Sequence, residues 1–200
     1  MKEVSKGWIG GFFDSDGSIS LGVKKMERNK IGYGLSPCFM VGQSIETYER
    51  TLPLVEEHLY NNLNVEVNIN TVQREEYCNM KLLQIRRKED VKKTLRYLEE
   101  EIHNKQNQVK ILLEEIFPRM EINNYLSSKE DFMEIIAWKE AFDSYKGGIR
   151  SKYTVEYFEK LWNVELSDDK YPSDNIFDGA EVINIEGYTH PAENGSVFDY

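Results

Sequence analysis

Cysteine is scarce in this chain, with only Cys38 and Cys78 among 200 residues. That is too few for a disulfide scaffold or a Cys-rich zinc site. The three histidines, His58, His103 and His190, are scattered and share no ligand spacing. Long apolar runs are missing as well. None approaches the roughly 18 residues needed to cross a bilayer. The N-terminus has no uninterrupted apolar stretch ending in a small-residue cleavage site, so no signal peptide is expected. These absences predict a soluble, intracellular protein without a membrane partner. An excess of basic residues is also lacking. The formal net charge is −10, a balance that at first argues against a nucleic-acid partner. Its distribution changes that reading. Residues 165–200 hold nine acids and one base, Lys170, whereas residues 1–164 hold 26 acids and 24 bases. The body is nearly neutral, which leaves room for a basic face.

What the chain does contain is globular. Apolar residues make up 40%, with three Trp, nine Phe and twelve Tyr, enough for one substantial domain or two small ones. Residues 4–15 suit a short helix with Trp8, Ile9, Phe12 and Phe13 as its bulky positions. Residues 17–25 alternate, with Ile19, Leu21 and Val23 on one side and Ser18, Ser20, Gly22 and Lys24 on the other. This predicts a half-buried strand with a polar second face. A second strand is expected over 35–44, a helix over 46–63 entered past Pro53 or kinked there, and paired strands over 65–73 and 79–88. Helices follow at 90–102, from 104 to a stop at Pro118, at 127–142 behind a Ser N-cap, and at 153–162. The order α-ββ-α-ββ-α, followed by further helices, fits an α+β domain around one antiparallel four-stranded sheet. Residues 1–163 are expected to form this domain. Residues 164–200 form an acidic extension, either loosely held or packed on the body.

One stretch carries chemistry. "IGGFFDSDG" at 9–17 interrupts a buried-looking helix with two adjacent glycines and ends it in two acids and a third glycine. Each Gly costs a helix about 1 kcal/mol relative to Ala, and paired acids beside aromatics are unfavourable unless something binds them. Residue by residue the stretch matches the LAGLIDADG motif, and with the following "SIS" the chain resembles a LAGLIDADG homing endonuclease. The resemblance spans about residues 5–163 and is strongest to the single-motif, homodimeric branch typified by chloroplast introns. "LSPCFMVGQS" resembles that branch's strand ending in a pocket Gln, and "LEEEIHNKQNQV" its segment with a pocket Lys. "SSKEDFMEIIAWKEAFDSYKGGIRSKYTVEYFEKLW" resembles its C-terminal helices and the DNA-contacting loop between them. The acidic tail departs from the family pattern.

The resemblance implies a site-specific, double-strand DNA endonuclease with the αββαββα homing-endonuclease fold. It would hydrolyse phosphodiesters as a homodimer on a long pseudo-palindromic site, with its sheet as the DNA-binding surface. One motif per chain implies the dimer; "AFDSYKGG" (141–148) echoes the motif but has Tyr145 where the acid belongs and no glycine pair before it. The implied dimer interface is Trp8, Gly10, Gly11 and Phe12, with Gly10 and Gly11 letting two helices approach. The implied catalytic set is Asp16, Gln43 and Lys105, with Lys110 as the nearby substitute for the lysine. Asp16 and the main-chain carbonyl of Ser15 would hold Mg²⁺ or Mn²⁺, with Ca²⁺ a ligand that does not support cleavage. Asp14 would cap or hydrogen-bond at the helix junction, with a metal-ligand role as the alternative. Strand register nominates Ser20, Lys24, Arg28, Ser36, Met40, Arg74, Lys81 and Arg86 for DNA contacts, and the basic loop adds Lys146, Arg150 and Lys152. An organellar, chloroplast-type intron or a bacterial or phage intron is the implied origin. The alternative function is a non-cleaving nucleic-acid-binding protein on the same fold, either an intron-splicing maturase or a repurposed DNA-binding regulator. A protein–protein module acting through the acidic tail is a third.

Overall fold

A computed structural model describes residues 4–73, 79–122, 124–146 and 151–172. Helix α1 (Lys6–Asp16) starts at Ser5, whose side chain accepts from the Trp8 amide at 3.1 Å, the N-cap that satisfies one of the helix's free donors. It passes directly into β1 (Gly17–Lys25), which pairs antiparallel with β2 (Tyr33–Ser44). A 3₁₀ turn (Tyr48–Arg50) leads into α2 (Leu52–Leu63), with Pro53 in its first turn. Of the two expectations, the structure has entry at Pro53 rather than a kink, since the proline sits in the first turn, where a missing N–H costs nothing. Strands β3 (Asn68–Val72) and β4 (Met80–Ile85) complete a four-stranded antiparallel sheet in the order β1-β2-β4-β3.

Register sorts the sheet into two faces. Ile19, Leu21, Phe39, Val41, Leu83 and Ile85 are all buried on one side. That side packs on Ile9 and Phe13 of α1, on Leu52, Val55 and Leu59 of α2, and on Val91, Leu95 and Leu98 of α3 (Lys88–Leu98). Phe13 stacks on Phe39 with ring centroids 4.1 Å apart. A second cluster forms where Ile31 and Tyr33 meet α6 (Lys129–Ser144) and α7 (Val155–Trp162) through Phe132, Ile136 and Phe158. Burial and the Tyr157 hydroxyl at 3.3 Å push the Tyr33 phenol up to about 12. Val164 and Leu166, the first residues of the acidic extension, pack on this cluster, and the Leu166 amide donates to Glu159.

The helix expected to stop at Pro118 does not. It runs through α4 (Gln106–Lys110), a π-helical turn (Ile111–Ile116) and α5 (Phe117–Ile122). In the π turn the Phe117 amide bonds the Leu112 carbonyl five residues back. The next amide in that register would be Pro118, which has none, and the Leu113 carbonyl is met instead by Arg96 Nη2 at 3.4 Å. Helix α3 also ends earlier than expected, at Leu98. A 3₁₀ turn (Glu99–Glu101) follows and delivers Ile102 to the core and residues 103–105 to the end of α1.

Candidate active site and nucleic-acid interface

The end of α1 is set by Gly17. A Cβ there would lie 2.2 Å from the Phe13 ring, so only glycine lets the helix turn into β1 above that aromatic pair. The two acids of the motif consequently part ways. Asp14 points inward and is 7% exposed. Its Oδ2 accepts from the amides of His103 (3.1 Å) and Asn104 (2.9 Å), and its Oδ1 from the amide of Lys105 (3.1 Å). With its oxygens committed to three backbone donors, Asp14 clasps the loop that carries Lys105.

Asp16 is exposed. Its Oδ2 accepts from Gln43 Nε2 at 2.8 Å. The Lys105 ammonium donates to the carbonyl of Asp14 and lies 5.8 Å from the centre of the Phe13 ring. Burial holds this lysine below its ordinary value, while Asp14 and Asp16 pull it back up. The structure thus brings Asp16, Gln43 and Lys105 together at one point, where α1 ends, β2 ends and α4 begins. Lys110 lies a helical turn further on, in α4. The Ser15 hydroxyl donates to the Phe12 carbonyl at 3.1 Å.

A carboxylate and a helix-end carbonyl are hard oxygen donors of the kind Mg²⁺ prefers, and Mg²⁺ retains several waters. Among the described residues no group of three or more His, Cys, Asp or Glu is placed to hold a metal ion.

The face of α1 turned away from the core carries Trp8 and Gly11, with half-buried Phe12 at its edge, packed partly against the core. Trp8 is 40% exposed and stacks on half-buried Phe12 at 5.3 Å, and a Cβ on Gly11 would meet nothing within 4 Å. Gly10 does not belong to this face, contrary to the sequence reading. A Cβ there would lie 2.2 Å from Glu101 Cβ and 3.1 Å from its carbonyl. Its glycine is required by the chain's own acidic turn.

Away from the core, the sheet's other face carries Ser18, Ser20 and Lys24 of β1 beside Ser36, Cys38 and Met40 of β2, then Leu82 and Gln84 of β4 and Asn68 and Asn70 of β3, with Cys38 and Gln84 buried. Arg86 follows β4 and donates to Gln84 at 3.1 Å. Arg28 is exposed in the turn between β1 and β2. Lys81 needs correcting: it pairs with Gln43, on the opposite face from Met40, and its ammonium lies 5.1 Å from the Tyr48 ring centre. Alternation along β4 puts it on the same side as buried Leu83 and Ile85. Lys146 also turns back on its own chain, 3.5 Å from Asp143 and 4.3 Å from the Phe142 ring centre, and burial lowers it. Lys152 is exposed. Arg74 and Arg150 lie outside the described residues. Missed in the sequence were Asn68, Asn70 and Gln84, visible in principle from the alternation of "NIN" and "LLQ". Thr47, which donates to Gln43 Oε1 at 3.1 Å, had no such signal because it sits in a turn.

A four-stranded antiparallel sheet with an open polar face, entered from a helix that ends in an exposed carboxylate beside a lysine and a glutamine, defines the homing-endonuclease class of fold. The LAGLIDADG endonuclease family profile matches residues 9–112, just over half of the sequence, and the chain belongs to that family. Family members are metal-dependent, site-specific DNA endonucleases. Among solved structures, the homing endonuclease I-CvuI in complex with the I-CreI target, with Mg present and the DNA not cleaved, aligns with a TM-score of 0.64 at 18% identity. The alignment covers 79% of this chain and 92% of I-CvuI. The homing endonuclease I-TnaI aligns at 0.59 and 19% identity over 81% and 98% of the two chains. I-SmaMI bound to cleaved DNA aligns at 0.58 and 16% identity over 80% of this chain but 48% of its own. At these identities the likeness establishes the fold. No curated protein matches.

Proposed function

We propose that two copies of this chain associate through the Trp8–Gly11–Phe12 face of α1 and cleave both strands of a long, pseudo-palindromic DNA site with Mg²⁺. In this reading residues 1–163 form the endonuclease domain and residues 164–200 an acidic extension. The single observation that carries the proposal is the exposed Asp16 carboxylate, held by Gln43 at 2.8 Å beside Lys105. A binding protein has no use for a bare carboxylate at the centre of a surface that meets phosphates. Association by a two-fold axis places two such carboxylates together, and this chain spans only about half of I-SmaMI.

Asp16 and the Ser15 carbonyl are the residues that would hold the cation. Bound there, a divalent cation supplies positive charge to the phosphate and lowers the pKa of an attacking water. Lys105 adds a fixed positive charge on the protein side of the site, where it stabilises developing negative charge. Gln43 orients the attacking water by hydrogen bonding. The open sheet face, with Ser20, Lys24, Ser36, Met40 and Arg86, lies along the DNA groove and reads base edges, and Arg28 and Lys152 contact phosphates.

Selection of cleaved sites from a randomised DNA library with Mg²⁺, run beside Asp16→Asn, tests this. Specific cutting by the natural chain and none by the variant is expected. Tight binding without cutting by the natural chain would instead make it a non-cleaving DNA-binding protein.

A further inference from the structure

Thr47 lies in the turn between β2 and the 3₁₀ segment Tyr48–Arg50. Its hydroxyl donates to Gln43 Oε1 at 3.1 Å, and Ser44 Oγ is 2.9 Å from Thr47 Oγ1. A hydroxyl has one proton to give. Thr47 gives it to Gln43, so Ser44 is the donor in the second contact. Gln43 Nε2 then donates to Asp16 Oδ2. Four side chains form one directed relay that runs from Ser44 through Thr47 and Gln43 to the carboxylate of the site.

We propose that Thr47 is a positioning residue that keeps the Gln43 amide turned with its NH₂ group toward the reacting centre, so that Gln43 serves there as a hydrogen-bond donor. The inference rests on the endonuclease reading of the site. The two ends of a primary amide are nearly isosteric, and only their hydrogen-bond partners tell them apart. Asp16 favours the observed orientation while its Oδ2 is free to accept, because a flip would set Gln43 Oε1 against a carboxylate oxygen. Were a cation to take that oxygen, Asp16 would no longer discriminate. Thr47 still would. A donor kept in place can bond the oxygen of an attacking water or a phosphate oxygen, whereas the flipped amide would present a second acceptor to them. The turn itself does not depend on the hydroxyls, because the Thr47 amide bonds the Ser44 carbonyl at 3.1 Å and the Arg50 amide bonds the Thr47 carbonyl at 3.1 Å. Positioning and folding are therefore separable.

The test compares Thr47→Val, Thr47→Ser, Gln43→Ala and the double variant Thr47→Val with Gln43→Ala in the full chain. Cleavage rates are measured with Mg²⁺, DNA affinity with Ca²⁺, and the Gln43 side-chain amide signals by ¹⁵N–¹H NMR without DNA or metal. Thr47→Val should slow cleavage about three- to tenfold, the effect of one lost hydrogen bond, and leave DNA affinity unchanged. Thr47→Ser should restore the rate. In the Gln43→Ala background, Thr47→Val should have no further effect. The Gln43 amide signals should move in Thr47→Val and stay in place in Thr47→Ser. A Thr47→Val variant that cleaves like the natural chain, or that loses the same factor without Gln43, overturns the proposal. Should the Val variant fail to fold, Thr47→Ala is read in the same way. A natural chain that cuts no DNA at all refutes the endonuclease reading instead, and unmoved amide signals in Thr47→Val then overturn the positioning role independently.

Discussion

At the scale of single residues, the motif acids illustrate how identical side chains take different jobs from their surroundings. Asp14 meets three amides and holds a loop, whereas Asp16, two residues on, is exposed and meets Gln43. Lys105 depends on both, being placed by the first and neighbouring the second. Replacing it with Met preserves the stem against Phe13 and removes the charge. Cleavage should fall by about a hundredfold, the effect of losing one well-placed electrostatic group, with DNA affinity in Ca²⁺ little changed. Its pH dependence follows from the sign of the shift. Burial lowers Lys105, so as pH rises it loses its proton earlier than an exposed lysine, and cleavage should decline along that alkaline limb. Lys105→Arg, charged to higher pH, should move the decline upward. An alkaline limb that stays put in Lys105→Arg would assign it to another group.

At the scale of elements, α1 has two glycines that do unlike work. Gly10→Ala drives a Cβ into Glu101, whose backbone cannot yield. Overpacking of this kind costs about 1–3 kcal/mol, and a lowered melting midpoint is expected. Gly11→Ala meets nothing within its own chain. It should fold at least as stably, since Ala is the better helix former, yet weaken self-association by adding a methyl to the proposed seam. Melting curves and sedimentation equilibrium separate the two, and unchanged association in Gly11→Ala would remove α1 from the interface. This contrast also marks how far the sequence could be read. Apolar spacing located α1, alternation located the strands, the Ser N-cap located α6, and the nine-residue motif located the site. Gly10 was misassigned because the partner that needs it, Glu101, is distant in sequence and becomes its neighbour only when α3 ends in a 3₁₀ turn. Lys81 was misassigned although alternation along β4 places it: it shares a side with Leu83 and Ile85, which are buried. The helix through Pro118 was cut short because Arg96, seventeen or more residues away, supplies the donor that proline lacks.

At the scale of the whole molecule, charge is the unresolved tension. The body is nearly neutral while the chain as a whole is strongly acidic. Because Val164 and Leu166 pack on the second cluster, with Leu166 only 6% exposed, truncation after Asn163 would strip the core around Phe158. Truncation after Pro172 is the cleaner experiment. It removes six acids and no lysine or arginine and leaves the packed residues in place. Non-specific DNA affinity should rise and its salt dependence steepen, as read in fluorescence anisotropy titrations at several salt concentrations. An unchanged salt slope would mean that the extension does not act on the DNA face.

The clasp of Asp14 on residues 103–105 has a consequence for synthesis. The two sides of that contact are 89 to 91 positions apart. A ribosome that has made the motif helix must add the whole sheet and α3 before the lysine loop emerges. Until then, Asp16 ends a helix with no latch and no neighbouring cation. Nascent chains and fragments that end before residue 103 therefore lack both the clasp and the lysine, and full cutting competence is expected only once the latching loop has left the exit tunnel.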